Sequence, residues 1–472
     1  MSNKPTATGH DNDPVNPASP GAPVVLEPVV LERNQHNVSR KNISSGCLRV
    51  LYTLNDAGYQ AFIVGGAVRD LLLGKQPKDF DVATDATPEQ VKAEFRQARI
   101  IGRRFRIVHV TMGREIIEVS TFRASNTESV EIQGERLARS VRHIDSAHSQ
   151  SGMILRDNVY GTLEEDVVRR DFTANALYYT VKKFRIHDYV QGKTDIDNRC
   201  LRMIGDPDQR YREDPVRILR AIRLSAKLEF IMDPATAEPI QPLAHLLESI
   251  PAARLFDEIL KLFFTGYSVE SYELLRKYDV FQYLFPATAD ALQDGNPHME
   301  ELLHKAFEST DNRIRDLKSV TPAYLLAAIL WPALDREYKI NLNRKMPPMV
   351  AMHQAAQTVI SEQVSRISIP KRFSIPMREI WEFQLRLPRR KRAWTLLNNR
   401  RFRAAYDFVL LREQAGEDLD GLGDWWTQFQ AADRSEQDKM MSSIHGNRQH
   451  SKSGKRRVKS RRNKRGQDSK SS

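Results

Sequence analysis

Two neighbouring stretches decide the fold of this chain: Val64-Gly65-Gly66-Ala67-Val68-Arg69-Asp70 and Lys78-Asp79-Phe80-Asp81-Val82. Their apolar runs and the glycine pair predict a strand, a Gly-Gly turn, a short helix and a second strand from Asp79 to Ala83. Side chains two apart in a strand lie on the same face, so the carboxylates of Asp79 and Asp81 are expected to converge. Paired carboxylates are common ligands of Mg²⁺, which predicts a divalent-metal site.

The glycine pair predicts a phosphate-binding turn beside that metal site. Gly65 and Gly66 have no Cβ atoms, so phosphate oxygens could approach the backbone, and the following helix would direct its N-terminal amides toward them. Arg69, one turn into the helix, would contact a triphosphate. Either motif alone is weak, because most glycine pairs are turns and most Asp-x-Asp sequences are surface loops. Their combination on consecutive elements favours a site for a nucleoside triphosphate and metal ions.

The sequence around this site predicts an α+β protein, with a small mixed-sheet head followed by an elongated all-α neck and body. A hairpin turned at Gly113 indicates further strands, and nearly all of the sequence beyond Leu201 has the periodicity of amphipathic helices. Polar, aperiodic segments at both ends predict disorder. The predicted divisions are a disordered leader (1–43), a catalytic head (44–200), a neck (201–270), a body (271–445) and a disordered basic tail (446–472).

Capping signals define the helices of the head more closely. Ser44 is a predicted N-cap for a helix that ends near Asp56. Thr87 before Pro88 predicts another helix start, because threonine caps well and proline is tolerated in the first helical position. Thr162 has Glu165 three residues later, which is the spacing of a capping box.

The composition of the chain is that of a globular protein without a membrane span. Of its 472 residues, 40% are hydrophobic and 28% are charged, and no stretch approaches the roughly 18 apolar residues that a span needs. The two cysteines are too few for a disulfide framework or a zinc site. We therefore expect a reducing compartment and a cytoplasmic location.

The net charge of +12 is concentrated at the C-terminal end. Eleven of the 72 Lys and Arg side chains and one of the 60 acidic side chains lie in the basic tail, which therefore carries +10. Such a run attracts polyanions through counterion release, although it could also serve only as a solubilising segment. RNA is the expected partner. The tail residues predicted to bind it are Lys455, Arg456, Arg457, Arg461 and Arg462.

The Gly-Gly-x-Val-Arg-Asp and Asp-x-Asp motifs resemble those of the superfamily that contains the tRNA CCA-adding enzymes and the bacterial-type poly(A) polymerases. The resemblance covers residues 40 to about 430. It implies that Gly65, Gly66 and Arg69 bind a nucleotide and that Asp79 and Asp81 hold the catalytic metal ions. It also implies a further carboxylate, for which two positions compete.

The two competing positions lie in different motifs. Glu118, in Ile117-Glu118-Val119-Ser120-Thr121, would face the aspartates from a neighbouring strand. Asp171, in Arg169-Arg170-Asp171-Phe172-Thr173-Ala174-Asn175, belongs to another signature of the superfamily. Either side chain could instead only cap a helix or form an ion pair, and the sequence leaves the choice open.

Two further groups of nucleotide-binding residues follow from the resemblance. Arg169, Arg170 and Asn175 correspond to positions that contact the sugar and phosphates. Glu213-Asp214-Pro215-Val216-Arg217 resembles the motif whose Asp and Arg pair with the base edge, which implies Asp214 and Arg217. Three residues apart on a helix, these two side chains would share a face, although an exposed or acid-paired face is the alternative.

Two basic regions favour the poly(A) polymerase branch of the superfamily. The stretch 102–110 (Gly-Arg-Arg-Phe-Arg-Ile-Val-His-Val) and the later stretch 391–408 resemble that branch. Aromatic residues in the later stretch, Trp394, Phe402 and Tyr406, would stack on RNA or instead form helix core, with only the arginines exposed. The predicted RNA-binding residues of this region are Arg389, Arg390, Lys391, Arg392, Arg400, Arg401 and Arg403.

The resemblance implies template-independent transfer of AMP from ATP to the 3′-hydroxyl of RNA, with release of pyrophosphate and a role in RNA processing and decay. It implies Mg²⁺, or Mn²⁺ in its place, as the cofactor. RNA 3′ ends and ATP are the expected partners, together with RNA-decay or RNA-chaperone proteins. A tRNA CCA-adding enzyme is the alternative function, and a non-catalytic RNA-binding protein on the same scaffold is the alternative from another class.

Overall fold

The computed structural model describes residues 27–102, 106–124, 146–148, 154–157, 160–390 and 392–443. These residues form two compact units. The head unit comprises the described residues up to 146 and from 157 to 194, and the helical unit comprises 147–156 and the chain from 195 onward. The predicted α+β class is confirmed, with a mixed sheet in the head and helices after it. The finer division into neck and body stays a prediction.

An eight-stranded mixed sheet forms the centre of the head unit. All neighbouring strands are antiparallel except β3 and β6, which run parallel. Its strands, in spatial order, are β1 (Val29–Leu31), β10 (Arg185–Asp188), β9 (Leu177–Thr180), β2 (Ala61–Val64), β3 (Asp81–Thr84), β6 (Glu115–Thr121), β5 (Ile107–Met112) and β4 (Ala98–Ile101). A separate two-stranded sheet contains β7 (Ser146–His148) and β8 (Ile154–Asp157).

The three central strands bring the two deciding stretches together. Strand β2 pairs with β3 so that Val64 lies opposite Asp81, and β3 pairs with β6 so that Asp81 lies beside Glu118. The second strand begins at Asp81, so the prediction that it starts at Asp79 is wrong. The reason is that β2 ends at Val64, and Gly65 then turns away, which leaves Asp79 without a β2 residue to pair with.

The capping signals of the head helices are confirmed. The side chain of Ser44 accepts a hydrogen bond from the Cys47 amide, and Thr87 and Thr162 each form a capping box with the residue three positions on. The hairpin turn at Gly113, with φ of 66°, is also confirmed. The head helices are α1 (Ser45–Asp56), α2 (Gly66–Leu72), α3 (Pro88–Glu94) and α4 (Leu163–Val168), and α5 (Gly192–Asp197) follows.

The prediction of a disordered leader is wrong for its C-terminal part. The apolar triplet Val29–Leu31 forms β1 and pairs with β10, and an ion pair between Glu32 and Arg185 reinforces it at 2.7 Å. His36 also hydrogen-bonds to the carbonyl of Phe184. Three apolar residues are too few to show a periodicity, and their partner strand lies about 155 positions further along the chain, so no local pattern predicts this pairing. Residues 1–26 lie outside the described part.

The helical unit consists of helices that follow one another through short connections, with a short parallel pair of strands, β11 (Cys200–Leu201) and β12 (Ile231–Met232). No helix among the described residues is long and apolar enough to cross a membrane. The helices are α6 (Pro207–Glu213), α7 (Val216–Leu228), α8 (Pro234–Ala237), α9 (Ile240–Leu243), α10 (Ala252–Phe263), α11 (Ser268–Lys277), α12 (Phe281–Leu284), α13 (Pro286–Leu292), α14 (Pro297–Arg315), α15 (Pro322–Ile329), α16 (Trp331–Asn343), α17 (Pro348–Arg366), α18 (Lys371–Arg386), α19 (Ala393–Leu397), α20 (Phe402–Gln414) and α21 (Leu422–Ala431).

Candidate active site

The Gly65-Gly66 turn joins β2 to α2 at the end of the central strands. Gly65 has φ of 69° and ψ of −139°, a conformation that is almost restricted to glycine. A Cβ atom at Gly65 would lie 3.9 Å from Nη1 of Arg170 and 3.9 Å from Oδ2 of Asp81. The turn therefore lies between a guanidinium and a carboxylate, and a side chain at this position would enter the space between them.

Asp81 is the centre of a group of acidic side chains. Removal from water raises the pKa of its carboxyl group first, and the negative charges of Glu118 and Asp79 raise it further, to about 6, while Arg170 acts in the opposite direction. Asp81 nevertheless remains exposed. The predicted proximity of Asp79 and Asp81 therefore has a physical signature, which is like-charge repulsion on Asp81.

This acidic group has the donor chemistry for a divalent cation, although it is not a complete cage. Among the described residues, no group of three or more His, Cys, Asp or Glu has the arrangement of a ready-made metal site. Mg²⁺ usually takes only one or two protein carboxylates and completes its shell with water and substrate phosphates. The raised pKa of Asp81, caused by desolvation and by the charges of Glu118 and Asp79, indicates an excess of negative charge that a bound cation would neutralise.

The two candidates for a third carboxylate have different surroundings. Glu118 lies beside Asp81 in the parallel ladder, is about half exposed, and contacts Nε2 of His109 at 3.3 Å. Oδ1 of Asp171 accepts hydrogen bonds from the Phe172 amide at 2.9 Å and from Nδ2 of Asn175 at 3.5 Å. Glu118 acts on the pKa of Asp81, whereas Asp171 stabilises the short turn that follows it.

Arg69 is buried within the head instead of being extended toward solvent. The residue is 3% exposed, and Nε and Nη2 donate to Oδ1 of Asp70 while Nη1 donates to Oδ1 of Asn175. A Cβ atom at Gly66 would lie 3.2 Å from Nη2 of Arg69, so the second glycine makes room for this guanidinium. Arg69 thereby connects α2 to the turn that contains Asn175.

Arg169 and Arg170 are both anchored by Asp166, which is not among the predicted site residues. Arg169 Nε donates to Oδ1 of Asp166 at 2.9 Å, and Arg170 Nη2 donates to Oδ2 at 3.0 Å. The hydroxyl of Tyr178 donates to the same Oδ2 at 2.7 Å and accepts from Arg170 Nε at 2.6 Å. The spacing of three and four residues on α4 was a signal for the two ion pairs, but the contact with β9 had none.

The second predicted nucleotide-binding pair lies in the helical unit. Asp214 has an extended conformation between α6 and α7, with φ of −150°, so the prediction that it shares a helix face with Arg217 is wrong. The physical reason is Pro215, which disfavours helical geometry in the residue before it. Oδ2 of Asp214 accepts from Arg254 at 2.7 Å, and Arg217 donates to Oε2 of Glu213 at 2.8 Å.

Three family models match the chain. They are described as "Poly A polymerase head domain", over residues 61–202, as "Probable RNA and SrmB- binding site of polymerase A", over 229–292, and as "Polymerase A arginine-rich C-terminus", over 344–465. The chain is also 48% identical over 421 residues to poly(A) polymerase I of Salmonella typhi, which covers 88% of each chain.

The chain belongs to the poly(A) polymerase family. Its enzyme class is therefore that of the polynucleotide adenylyltransferases, a group of nucleotidyltransferases. The similarity to a CCA-adding enzyme of Bacillus pumilus is more restricted, at 37% identity over 52% of this chain and 56% of that enzyme. The poly(A) polymerase prediction is thus confirmed over the CCA-adding alternative. A solved CCA-adding enzyme in its apo form II shares the fold, with a TM-score of 0.59 over 85% of this chain and 87% of that one at 18% identity.

The predicted RNA-binding region of this poly(A) polymerase family member separates into exposed arginines and a buried aromatic core. Phe402 and Tyr406 are 3% and 5% exposed and belong to the buried cluster that contains Trp426, and the partly buried Trp394 packs against the same cluster. The aromatic residues are therefore mainly helix core, which was the alternative interpretation. The arginines that are exposed are Arg389, Arg392, Arg400 and Arg403, and those that are half-buried are Arg390 and Arg401.

Acidic neighbours hold several of these arginines. Arg400 and Arg401 both contact Glu379, and Arg403 pairs with Asp407 at 2.9 Å on the same helix. Surface pairs of this kind are weak, so a phosphate group can replace the carboxylate partner. Several predicted residues lie outside the described part of the chain, namely Lys391 and the tail residues Lys455, Arg456, Arg457, Arg461 and Arg462, as do residues 103–105 of the stretch that resembles the poly(A) polymerase branch.

Proposed function

We propose that the chain transfers AMP from ATP to the 3′-hydroxyl of RNA without a template, at the site formed by the Gly65 turn and the carboxylates beside it. The observation that carries the proposal is the register of the central strands. It sets Asp81 beside Glu118 and opposite the last residue before the turn, in a chain of the poly(A) polymerase family. A non-catalytic RNA-binding protein would not require these carboxylates to lie close together.

Asp79 and Asp81 are the proposed ligands of Mg²⁺, or of Mn²⁺ in its place, with Glu118 as the nearest further carboxylate. A divalent ion at this position would lower the pKa of the attacking hydroxyl and neutralise charge on the departing pyrophosphate. The chain itself supplies hard oxygen donors at the end of a rigid sheet. Because the charges of Glu118 and Asp79 both repel that of Asp81, a divalent cation would neutralise more of this charge than one Lys or Arg side chain.

The remaining head residues bind and orient the triphosphate. Gly65 allows phosphate oxygens to approach the backbone without meeting a Cβ atom, and Nη1 of Arg170 lies beside that same space. A guanidinium suits this role because it is permanently charged and donates several hydrogen bonds in a fixed geometry. Arg169 adds a second positive charge next to Arg170 in the chain. The hydrogen bond from Arg69 to Asn175 connects α2, the helix that follows the Gly65 turn, to the segment that contains Asn175.

Adenine selection is proposed for Asp214 and Arg217, with support from the family motif. Their present partners are Arg254 and Glu213, respectively. Each side chain is thus held in one orientation, and a base edge would compete with these partners for its hydrogen bonds. A site that must discriminate adenine from cytosine needs donors and acceptors in fixed places, because the penalty for a wrong base comes from unpaired polar groups.

Primer extension with single nucleotides tests the proposed activity. An RNA primer is incubated with the full chain, Mg²⁺ and one nucleoside triphosphate at a time, and the products are resolved by length. Long tails with ATP alone are expected. In a parallel reaction that contains a tRNA with CTP and ATP together, arrest after C-C-A would support CCA addition instead. The absence of any extension would leave the RNA-binding alternative.

RNA binding by the basic tail is tested by deleting residues 446–472. The shortened chain should bind RNA more weakly, and its affinity should depend less steeply on salt concentration, because fewer phosphate charges are neutralised. ATP affinity should be unchanged. A tail of equal length with Ser in place of every Lys and Arg is the matched control. An unchanged salt slope would show that the tail serves solubility.

We also propose that the protein acts in the cytoplasm together with RNA-decay or RNA-chaperone proteins. The chain has only two cysteines, too few for a disulfide framework, which supports a reducing compartment such as the cytoplasm. A match to a family model described as a probable binding site for RNA and SrmB supports protein partners. Cell fractionation tests the location. Co-purification from nuclease-treated extract, with the chain lacking residues 446–472 as the comparison, tests whether partners bind the protein and not shared RNA.

A further inference from the structure

Asp166 has surroundings that an ordinary structural ion pair would not require. It is fully buried within α4, and each of its two oxygens accepts two hydrogen bonds. Oδ1 accepts from Arg169 Nε and from the backbone amide of Arg123, and Oδ2 accepts from Arg170 Nη2 and the Tyr178 hydroxyl. A carboxylate has about four acceptor positions, so its capacity is filled.

The elements that meet at Asp166 are those that form the site. Arg123 follows β6, the strand of Glu118, and Tyr178 lies in β9, which pairs with β2 directly before the Gly65 turn. Arg170 is held from two sides, because its Nε donates to the Tyr178 hydroxyl and its Nη2 to Asp166, and its guanidinium lies 4.9 Å from the Tyr178 ring centre. The position of Nη1 beside Gly65 is therefore fixed by these contacts.

We propose that Asp166, together with Tyr178, is a positioning residue that fixes Arg170 for the phosphates of the bound nucleotide. This inference rests on the proposed role of Arg170 at the Gly65 turn. An arginine side chain has several rotatable bonds, and holding it before the ligand arrives removes most of the ordering cost from the binding step. Asp166 itself does not touch the substrate, so its effect must pass through Arg170.

The test is a double-mutant cycle on ATP binding by the full chain without RNA. Titration calorimetry with ATP and Mg²⁺ compares wild type, Asp166→Asn, Arg170→Ala and the double variant. Asp166→Asn is expected to weaken ATP binding by about ten-fold, the value of one charge-assisted hydrogen bond. Because the effect passes through Arg170, adding Asp166→Asn to Arg170→Ala should weaken binding no further.

Asp188→Asn is the matched control for a loss of folding stability. Asp188 is also a buried carboxylate of the head, but it accepts hydrogen bonds from the backbone amides of Val190, Gly192 and Lys193 and not from an arginine. Its substitution should lower the melting temperature without changing ATP affinity. Should Asp166→Asn fail to fold, Tyr178→Phe enters the same cycle, since it removes one hydroxyl and keeps the ring, with an expected loss of about three-fold.

Two results would overturn the proposal. One is an ATP affinity that Asp166→Asn and Tyr178→Phe leave unchanged, and the other is a loss from either substitution that persists in the Arg170→Ala background. Failure of the proposed function gives a different result, namely a wild-type chain that binds ATP but does not extend an RNA primer. The ATP affinities of the four chains can still be compared in that case.

Discussion

Asp81 and Asp166 are two acidic residues of the same head unit with opposite electrostatic environments. Asp81 is exposed and has Glu118 and Asp79 as charged neighbours, which together with desolvation raise its pKa to about 6. Burial alone would also raise the pKa of Asp166, but the charges of Arg170 and Arg169 lower it to about 2. For Asp81, the effect of Arg170 on the pKa is smaller than the effects that raise it. For Asp166, the effects of Arg170, Arg169 and the hydrogen bonds together outweigh that of burial.

This difference separates a ligand site from a buried residue that holds other side chains in place. A group that repels its neighbours persists in a folded protein only if the rest of the structure holds it there, which is typical of functional sites. A saturated buried carboxylate instead stabilises the fold and becomes costly when one partner is lost. Neutralising the two residues should therefore have opposite effects, and four measurements test that contrast.

Asp81→Asn should give the largest effect on activity. Loss of a metal ligand is expected to slow adenylate transfer by about 10³-fold or more, measured in single-turnover primer extension. The free energy of unfolding should stay the same or rise by a few tenths of a kcal/mol, because a repelled but solvent-exposed charge is removed. Asp85→Asn, at the residue directly after β3, is the control, and transfer should be unaffected by it. A normal rate of adenylate transfer in Asp81→Asn would contradict the proposed role of Asp81 as a metal ligand.

Asp166→Asn should give the largest effect on stability. Breaking a buried, fully bonded ion pair is expected to cost about 3 kcal/mol in the free energy of unfolding, measured by urea denaturation at pH 7. Since the folded pKa of about 2 is below the ordinary value of 3.8, the stabilisation is present above about pH 4 and is lost as the pH falls toward 2. The stability difference between wild type and variant should therefore narrow over that range, and a constant difference would contradict the pKa.

Glu118→Gln and Asp171→Asn together decide which carboxylate supports the metal site. Glu118 lies beside Asp81 and raises its pKa, so its neutralisation is expected to slow transfer by about 10²-fold and to raise the Mg²⁺ concentration needed for half-maximal rate. Asp171→Asn should act mainly on stability, by about 1 kcal/mol, because its hydrogen bonds are to Phe172 and Asn175. The reverse ranking in the Mg²⁺ titration would assign the metal role to Asp171.

Gly65→Ala tests the position between Asp81 and Arg170, the arginine that Asp166 holds. The Cβ atom would enter the space between Arg170 and Asp81 and would force alanine into a conformation that costs about 1–2 kcal/mol. Both stability and ATP affinity should fall. Gly113→Ala is matched, because its φ of 66° is also positive while no atom lies within 4 Å of the added Cβ. It should lose stability alone, and equal losses of ATP affinity in both variants would mean that strain, not position, is responsible.

The features that were predicted correctly depend on local sequence. The Ser44 and Thr162 caps, the hairpin at Gly113 and the helices of the helical unit follow from patterns within a few residues, and the structure contains all of them. Strand alternation predicted that Asp79 and Asp81 converge, and the charge of Asp79 does raise the pKa of Asp81, although Asp79 precedes the first residue of β3. These signals suffice because hydrogen bonds and side-chain direction within one element are set by neighbours in the chain.

The features that were missed depend on partners far away in the chain. Strand β1 needs β10, and the anchoring role of Asp166 needs Tyr178, which lies 12 residues later on a different element. Asp214 is the exception, because the effect of Pro215 on the residue before it is a local signal for an extended conformation. Phe402 and Tyr406 could be core or surface until the packing of α21 against α20 was known.

The pairing of β1 with β10 has a consequence for any shortened form of the protein. Strand β1 covers the outer side of β10, so a chain that starts at Ser44 would leave the backbone amides and carbonyls of Arg185–Asp188 open for another polypeptide. Such a chain would retain every residue proposed for the active site and still tend to self-associate through this open edge. In the full chain the edge strand is β1, whose three residues offer another copy of the chain fewer backbone groups than the four residues of β10.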